Sequence, residues 1–233
     1  MLFILAASCK KDDDFKDLPQ DERNQVDDRA ISDYLEDHYF DSDKGLIKKY
    51  KEEDEDDDDF PPLMSMATKL PSGVWIVVRP GVEAEGPAVT NNKTDSILIS
   101  YNSMRFKATY DGLKEGQKAY EAGAGSFYNT IFSTGTPAWD PIFYHQFISP
   151  EMQEKGINED HFQIKGFIEG LKHFKSTQTN GSELYNFQGA ILVPSRMAYG
   201  REFVYLGGSI DPVAYRDNSF MFNFELHRVI PRQ

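Results

Sequence analysis

Phe220-Met221-Phe222-Asn223-Phe224-Glu225-Leu226 alternates large with smaller side chains. A period of two marks a strand that lays one face against a core. Working outward, three further stretches read the same way. Val74-Trp75-Ile76-Val77-Val78 ends at Pro80-Gly81, Ser96-Ile97-Leu98-Ile99-Ser100-Tyr101 follows a polar run from Thr90 to Asp95, and Gly189-Ala190-Ile191-Leu192-Val193 stops at Pro194. Between the second and third lies one short helical stretch, Ile168 to Lys175. Strands of this kind around a single helix predict an α+β fold, an antiparallel twisted sheet wrapped on one short helix.

Charge divides the chain unevenly. Lys10 to Asp59 holds 21 acidic and 9 basic residues, so nearly all of the formal net charge of −13 sits there and the remainder is close to neutral. A neutral body lacks an electrostatic footprint for nucleic acid, and the acidic leader repels phosphate. Cys9 is the only cysteine, which excludes an intrachain disulfide and a cysteine-based zinc site. The five histidines do not fall at a spacing that would put ligands on one helix face, and the sequence lacks a P-loop, a dinucleotide fingerprint and a GxSxG elbow. No cofactor or metal is expected.

The leader reads in parts. Leu2 to Ala7 is apolar but too short to cross a bilayer, and Leu5-Ala6-Ala7-Ser8-Cys9 is similar to the lipobox of bacterial lipoproteins, in which the cysteine is acylated after cleavage. Residues 1–9 are thus expected to be a signal remnant, with Cys9 as a lipid anchor to the cell envelope, most plausibly the outer membrane. Lys10 to Pro62 reads as an acidic tether: charged chain from Phe15 to Asn24, one helix from Asp27 to Phe40 with Asp27 or Asp28 as cap, and the acidic run Glu52 to Asp59 before Pro61-Pro62. That run and Asp41-Ser42-Asp43 both lack the sixth-position glycine and alternating ligands of an EF-hand loop.

From Leu63 to Gln233 the order of motifs resembles the FKBP family of peptidyl-prolyl cis-trans isomerases. The matching segments are Ser72-Gly73-Val74-Trp75, the strand ending in Tyr101, Phe162-Gln163-Ile164-Lys165-Gly166-Phe167-Ile168-Glu169-Gly170-Leu171, Val193-Pro194-Ser195-Arg196-Met197-Ala198-Tyr199-Gly200, Ile210-Asp211-Pro212, and Phe222-Asn223-Phe224-Glu225-Leu226. The resemblance implies an FKBP-like domain over residues 63–233 with an insertion at about 104–159 and a shorter one from Ser176 to Asn186. It implies a monomeric folding catalyst that acts on proline-containing segments of exported proteins, or a non-catalytic module that uses the same pocket for binding.

Carried over by position, the resemblance makes Tyr101, Phe132 and Phe222 aromatic walls, has Ile168 offer its backbone N–H, and puts Leu171 at the floor. Tyr199 becomes a hydroxyl donor to a substrate carbonyl, and Ile210 lines the rim. Phe162, Phe167 and Phe224 fall to core packing. Two departures stand out: Ser133 follows Phe132 where the family commonly has Asp, unless Tyr120-Glu121 is the true match, and Leu171 replaces the usual Trp. The chemistry fits such a residue set, because rotation about an X-Pro bond makes and breaks no covalent bond and its barrier, about 18–20 kcal/mol, comes from lost amide resonance.

Overall fold

A seven-stranded antiparallel sheet runs in the order β3-β4-β8-β11-β5-β6, with β7 also paired to β5. Its members are β3 (Ala67–Lys69), β4 (Trp75–Val78), β5 (Asp95–Phe106), β6 (Gly125–Asn129), β7 (Ala138–Trp139), β8 (Gly189–Val193) and β11 (Ser219–Pro231). Two-stranded hairpins are formed by β1 (His38–Phe40) with β2 (Ile47–Lys49), and by β9 (Val204–Leu206) with β10 (Ser209–Asp211). The helices are α1 (Gln20–Asp37), α2 (Pro150–Glu154) and α3 (Lys165–Leu171). This computed structural model describes residues 17–51, 53, 59–121, 123–181 and 185–233. Cys9, the signal remnant and most of the acidic run therefore lie outside the described residues.

The central pair is β5 with β11, and its register sets Phe222 opposite Ser103 and Phe224 opposite Tyr101. On the other side of β11, Phe222 faces Ile191 of β8. Strand alternation sends Phe220, Phe222, Phe224 and Leu226 into one core with Tyr101, Phe167 and Leu171, while Met221 joins a second core on the opposite face. Helix α3 lies close on the first face because Gly166 and Gly170, one turn apart, leave room for the sheet. A Cβ at Gly166 would sit 2.5 Å from Val193 Cγ1, and one at Gly170 would sit 2.7 Å from Ile191 Cγ2.

The second face is covered too, and by the stretch expected to be a tether. Helix α1 begins at Gln20 rather than Asp27 and ends at Asp37, and His38 to Phe40 is strand. Its Ala30, Ile31, Tyr34 and Leu35 bury against Val77, Phe106, Ala190, Leu192 and Met221. The β1–β2 hairpin follows it down. Asp41 Oδ1 accepts the N–H groups of Lys44 and Gly45 at 2.9 and 2.8 Å, and the fully buried Asn223 donates to Gly45 O and Gly189 O while accepting Ile47 N–H. The charges of α1 concealed this in the sequence. Arg23 and Asp27 are both buried, joined at 2.9 Å, and so read as solvent-facing residues when they are an internal pair.

Two smaller expectations also shift. The helix expected over Ile168 to Lys175 is Lys165–Leu171, and Lys175 instead forms a bridge with Ala88. The stretch expected as an insertion, 104–159, contributes β6, β7 and α2, of which the two strands belong to the sheet.

Candidate functional site

Four segments far apart in sequence deliver aromatic rings to one point on the first face. Tyr101 comes from β5 and Phe222 from β11, Phe167 from α3, and Phe143 from the turn that closes when Tyr144 N–H donates to Pro141 O. Phe143 lies at the centre, with ring centroids 5.3 Å from Tyr101, 5.1 Å from Phe167 and 5.1 Å from Phe222. Phe167 and Phe222 are 4.5 Å apart. Phe127 of β6 flanks the group, 4.8 Å from Phe220 and 5.7 Å from Phe143. Offset and edge-on pairs of this kind each add about 0.5–1.5 kcal/mol beyond their burial. Phe143, Phe167 and Phe222 are wholly enclosed, so the rings fill the space between sheet and helix.

Tyr199 stands at the side of this cluster, delivered by the turn over Ser195–Met197 that ends β8. Its ring packs near Tyr215 and edge-on to Phe220, and its hydroxyl donates to Phe162 O at 2.7 Å. Burial pushes that hydroxyl far above the ordinary tyrosine range, so it stays a proton donor at every physiological pH. Tyr101 is likewise pushed up, to about 12, by burial. Beyond Tyr199 a cavity of about 280 Å³ opens between the Glu159–His161 turn and the loop from Tyr199 to Phe203. Asp160, His161, Gln163, Lys165, Glu202 and the half-exposed Phe203 line it with Tyr199.

The residues singled out from sequence divide between these places. Tyr101, Ile168, Leu171, Tyr199 and Phe222 share the first core. Phe132 is 68% exposed in the turn after β6, outside the cluster, and Ile210 is partly exposed on the β9–β10 hairpin. The rings that pack beside Tyr101 and Phe222 are Phe127 and Phe143 instead. Tyr120, the other match considered for that wall, lies on the opposite face of the sheet, where its hydroxyl donates to Asp37 at 3.0 Å. Ile168 N–H is already committed inside the helix, donating to Ile164 O at 3.2 Å, so it is not offered to a ligand. The ring under Phe222 is Phe167, with Leu171 one turn further on.

That displacement has a simple origin. Ile164-Lys165-Gly166-Phe167 and Ile168-Glu169-Gly170-Leu171 repeat the pattern Ile-x-Gly-apolar at an interval of four, one helical turn. Sequence alone gives no reason to prefer either quartet, and the sheet decides. Phe127 and Phe143 had weaker signals: Phe127 sits in a short edge strand, and Phe143 follows Pro141 in a stretch without period.

No family model matches the chain, and no curated protein does. Among solved structures the chain is similar to FkpA from Escherichia coli, at 19% identity and a TM-score of 0.35, with 71% of this chain and 52% of FkpA covered, so that it spans about half the length of that protein. It is similar to a peptidyl-prolyl cis-trans isomerase from Pseudomonas syringae pv. tomato str. DC3000, at 13% identity and a TM-score of 0.39, over 92% of this chain and 98% of that one. A third similar structure is AtFKBP13, at 18% identity and a TM-score of 0.32, over 70% of this chain and 97% of its own.

Proposed function

We propose that the chain is an FKBP-type peptidyl-prolyl cis-trans isomerase domain that engages proline-bearing segments of exported polypeptides, held at the cell envelope through Cys9. The observation that carries this reading is the position of Tyr199, which shares its ring with an aromatic cluster and borders an open cavity with its other side. Isomerisation asks for little else. An apolar surface takes the proline ring and strips water from the amide, and a hydroxyl donor holds a carbonyl while the C–N bond twists.

The Tyr199 hydroxyl has one proton and gives it to Phe162 O. Engagement of a substrate carbonyl therefore exchanges one acceptor for another by rotation about the C–O bond. A second reading, binding of proline-bearing segments without turnover, is favoured by the complete burial of Phe143, Phe167 and Phe222, since a prolyl ring reaches them only if Phe143 gives way.

The test is cis-to-trans exchange of short X-Pro peptides, across several X residues, in the presence of the purified Cys9→Ser chain. Acceleration over buffer that a prolyl ligand competes away supports catalysis. Binding without acceleration selects the second reading, and neither one removes both.

A further inference from the structure

Several acceptors around the cavity are already occupied. Phe162 O takes the Tyr199 hydroxyl, Asp160 Oδ1 takes Lys165 Nζ at 3.1 Å, and His161 Nδ1 is held by Asn158. Gln163 is different. Its backbone is fixed by its N–H bond to Glu159 O, and the residue is only 7% exposed, yet its Nε2 is fully buried and has no hydrogen-bond partner among the described residues. An unpaired buried amide donor weakens a fold, and a Leu or Met of similar size would remove the defect. Gln163 lines the cavity with the hydrogen-bonding capacity of Nε2 unspent, and because that nitrogen is closed to solvent a ligand reaches it once the carboxamide turns toward the cavity.

We infer that Gln163 is a ligand-binding residue whose carboxamide takes the main chain of a polypeptide beside the proline, an inference that rests on reading the cavity as a peptide site. A carboxamide carries a donor and an acceptor side by side, which is the complement of a peptide unit in extended chain. Proline supplies only the carbonyl half of that pattern, because it has no N–H. A residue flanking the proline supplies both. Gln163 thus selects for a continuous polypeptide over an isolated prolyl group, and it contributes equally to ground and transition states. The Asp160–Lys165 pair beside it is mutually neutralised, which leaves the Glu202 carboxylate on the same lining as an acceptor for a peptide N–H.

The test compares the Cys9→Ser chain with the same chain carrying Gln163→Met, on an acetylated pentapeptide with X-Pro at its centre and on N-acetylproline dimethylamide, which has the prolyl ring but no backbone N–H. Binding or exchange is followed by NMR, and thermal unfolding is recorded for both proteins. The loss of one neutral hydrogen bond predicts pentapeptide affinity weakened about fivefold to tenfold, seen in KM rather than kcat, with the prolyl amide unaffected and the melting temperature equal or higher. Equal affinity of the two proteins for the pentapeptide overturns the inference alone and leaves an ordered water as the partner of Nε2. A lower melting temperature with parallel loss on both compounds also overturns it, making Gln163 a packing residue. If the parent chain engages neither compound, the peptide-site reading falls and takes this one with it.

Discussion

Asp27 of α1 accepts two hydrogen bonds from Ser195, the backbone N–H at 3.2 Å and the hydroxyl at 2.5 Å, across 168 positions of sequence. Ser195 opens the turn that carries Tyr199, so the N-terminal helix holds the base of the candidate site from the far side of the sheet. Arg196 strengthens the link by donating to Asp28 at 2.7 Å. Asp27→Asn leaves the buried Arg23 guanidinium without its counter-charge and should cost about 3–5 kcal/mol, read by chemical denaturation. The double variant Arg23→Met with Asp27→Asn, which keeps a side-chain acceptor for Ser195, should recover most of that loss. Equal stability of Asp27→Asn and the parent would show that the pair carries no net charge interaction.

Tyr199 and Phe222 should separate under substitution. Tyr199→Phe keeps the ring and leaves the Phe162 carbonyl unpaired in a buried setting, a loss of about 1–3 kcal/mol. Phe222→Ala removes a ring wholly enclosed between Phe143, Phe167 and Phe220 and should cost about 3–5 kcal/mol. If Tyr199→Phe keeps its fold together with unaltered prolyl binding and exchange, the site does not use the hydroxyl.

Acid should weaken the fold in two stages with different owners. Burial lowers His38 to about 4 while its ring stacks on Tyr34 at 3.7 Å, and the ring nitrogen facing Tyr34 O at 2.8 Å must carry the proton. Its neutral form is favoured in the fold, so stability is present above the unfolded value of 6.5 and is lost as pH falls toward 4. The loss is at most roughly 3 kcal/mol. His38→Phe should flatten that part of the denaturant-midpoint profile.

The second stage belongs to carboxylates. Burial works to raise Asp140, but hydrogen bonds from Arg232, Ser96 and the Ile97 N–H outweigh it and hold its pKa below 3.8. Glu225 is held below 4.5 against burial by His227, the Asn186 N–H and Thr177. Both stabilise the fold above those unfolded values and stop doing so as pH falls through the folded ones. Asp27 slopes the other way, because burial pushes its carboxyl up. Asp140→Asn should lower stability at pH 7 and lessen the decline below pH 4.

Cys9→Ser should move the protein from the membrane fraction to the soluble one and abolish fatty-acid labelling. Continued sedimentation with membranes would locate the attachment elsewhere.

How far the sequence could be read depended on whether a residue's surroundings were local. The strands around Ile191 and Phe222 were plain, because alternation and the flanking Pro194 are properties of a few neighbours. Tyr199 was placed by the resemblance of Val193 to Gly200 to a family motif. The burial of Arg23 and Asp27 was not legible, since charges at helical spacing read as solvent-facing unless Ser195 and Ala108 O are known to face them. The choice between Phe167 and Leu171 turned on a one-turn repeat that only contact with β8 resolves. The resemblance pointed to Phe132, whose N–H is bound to Asn129 in a surface turn, while Phe127 reaches the core.

The seat of α1 has a consequence for how the chain is made. The helix is near the start of the sequence, but the surface that receives Ile31 and Leu35 includes Leu192 and Met221, the second of them in the last strand. Synthesis from the N-terminus therefore leaves an apolar stripe without its partner until Met221 has emerged, and the β5–β11 pairing bridges more than a hundred residues. Such non-local closure is slow, and surfaces waiting for it are prone to wrong association. A protein proposed to ease the folding of others is, on this topology, itself slow to close its own second core.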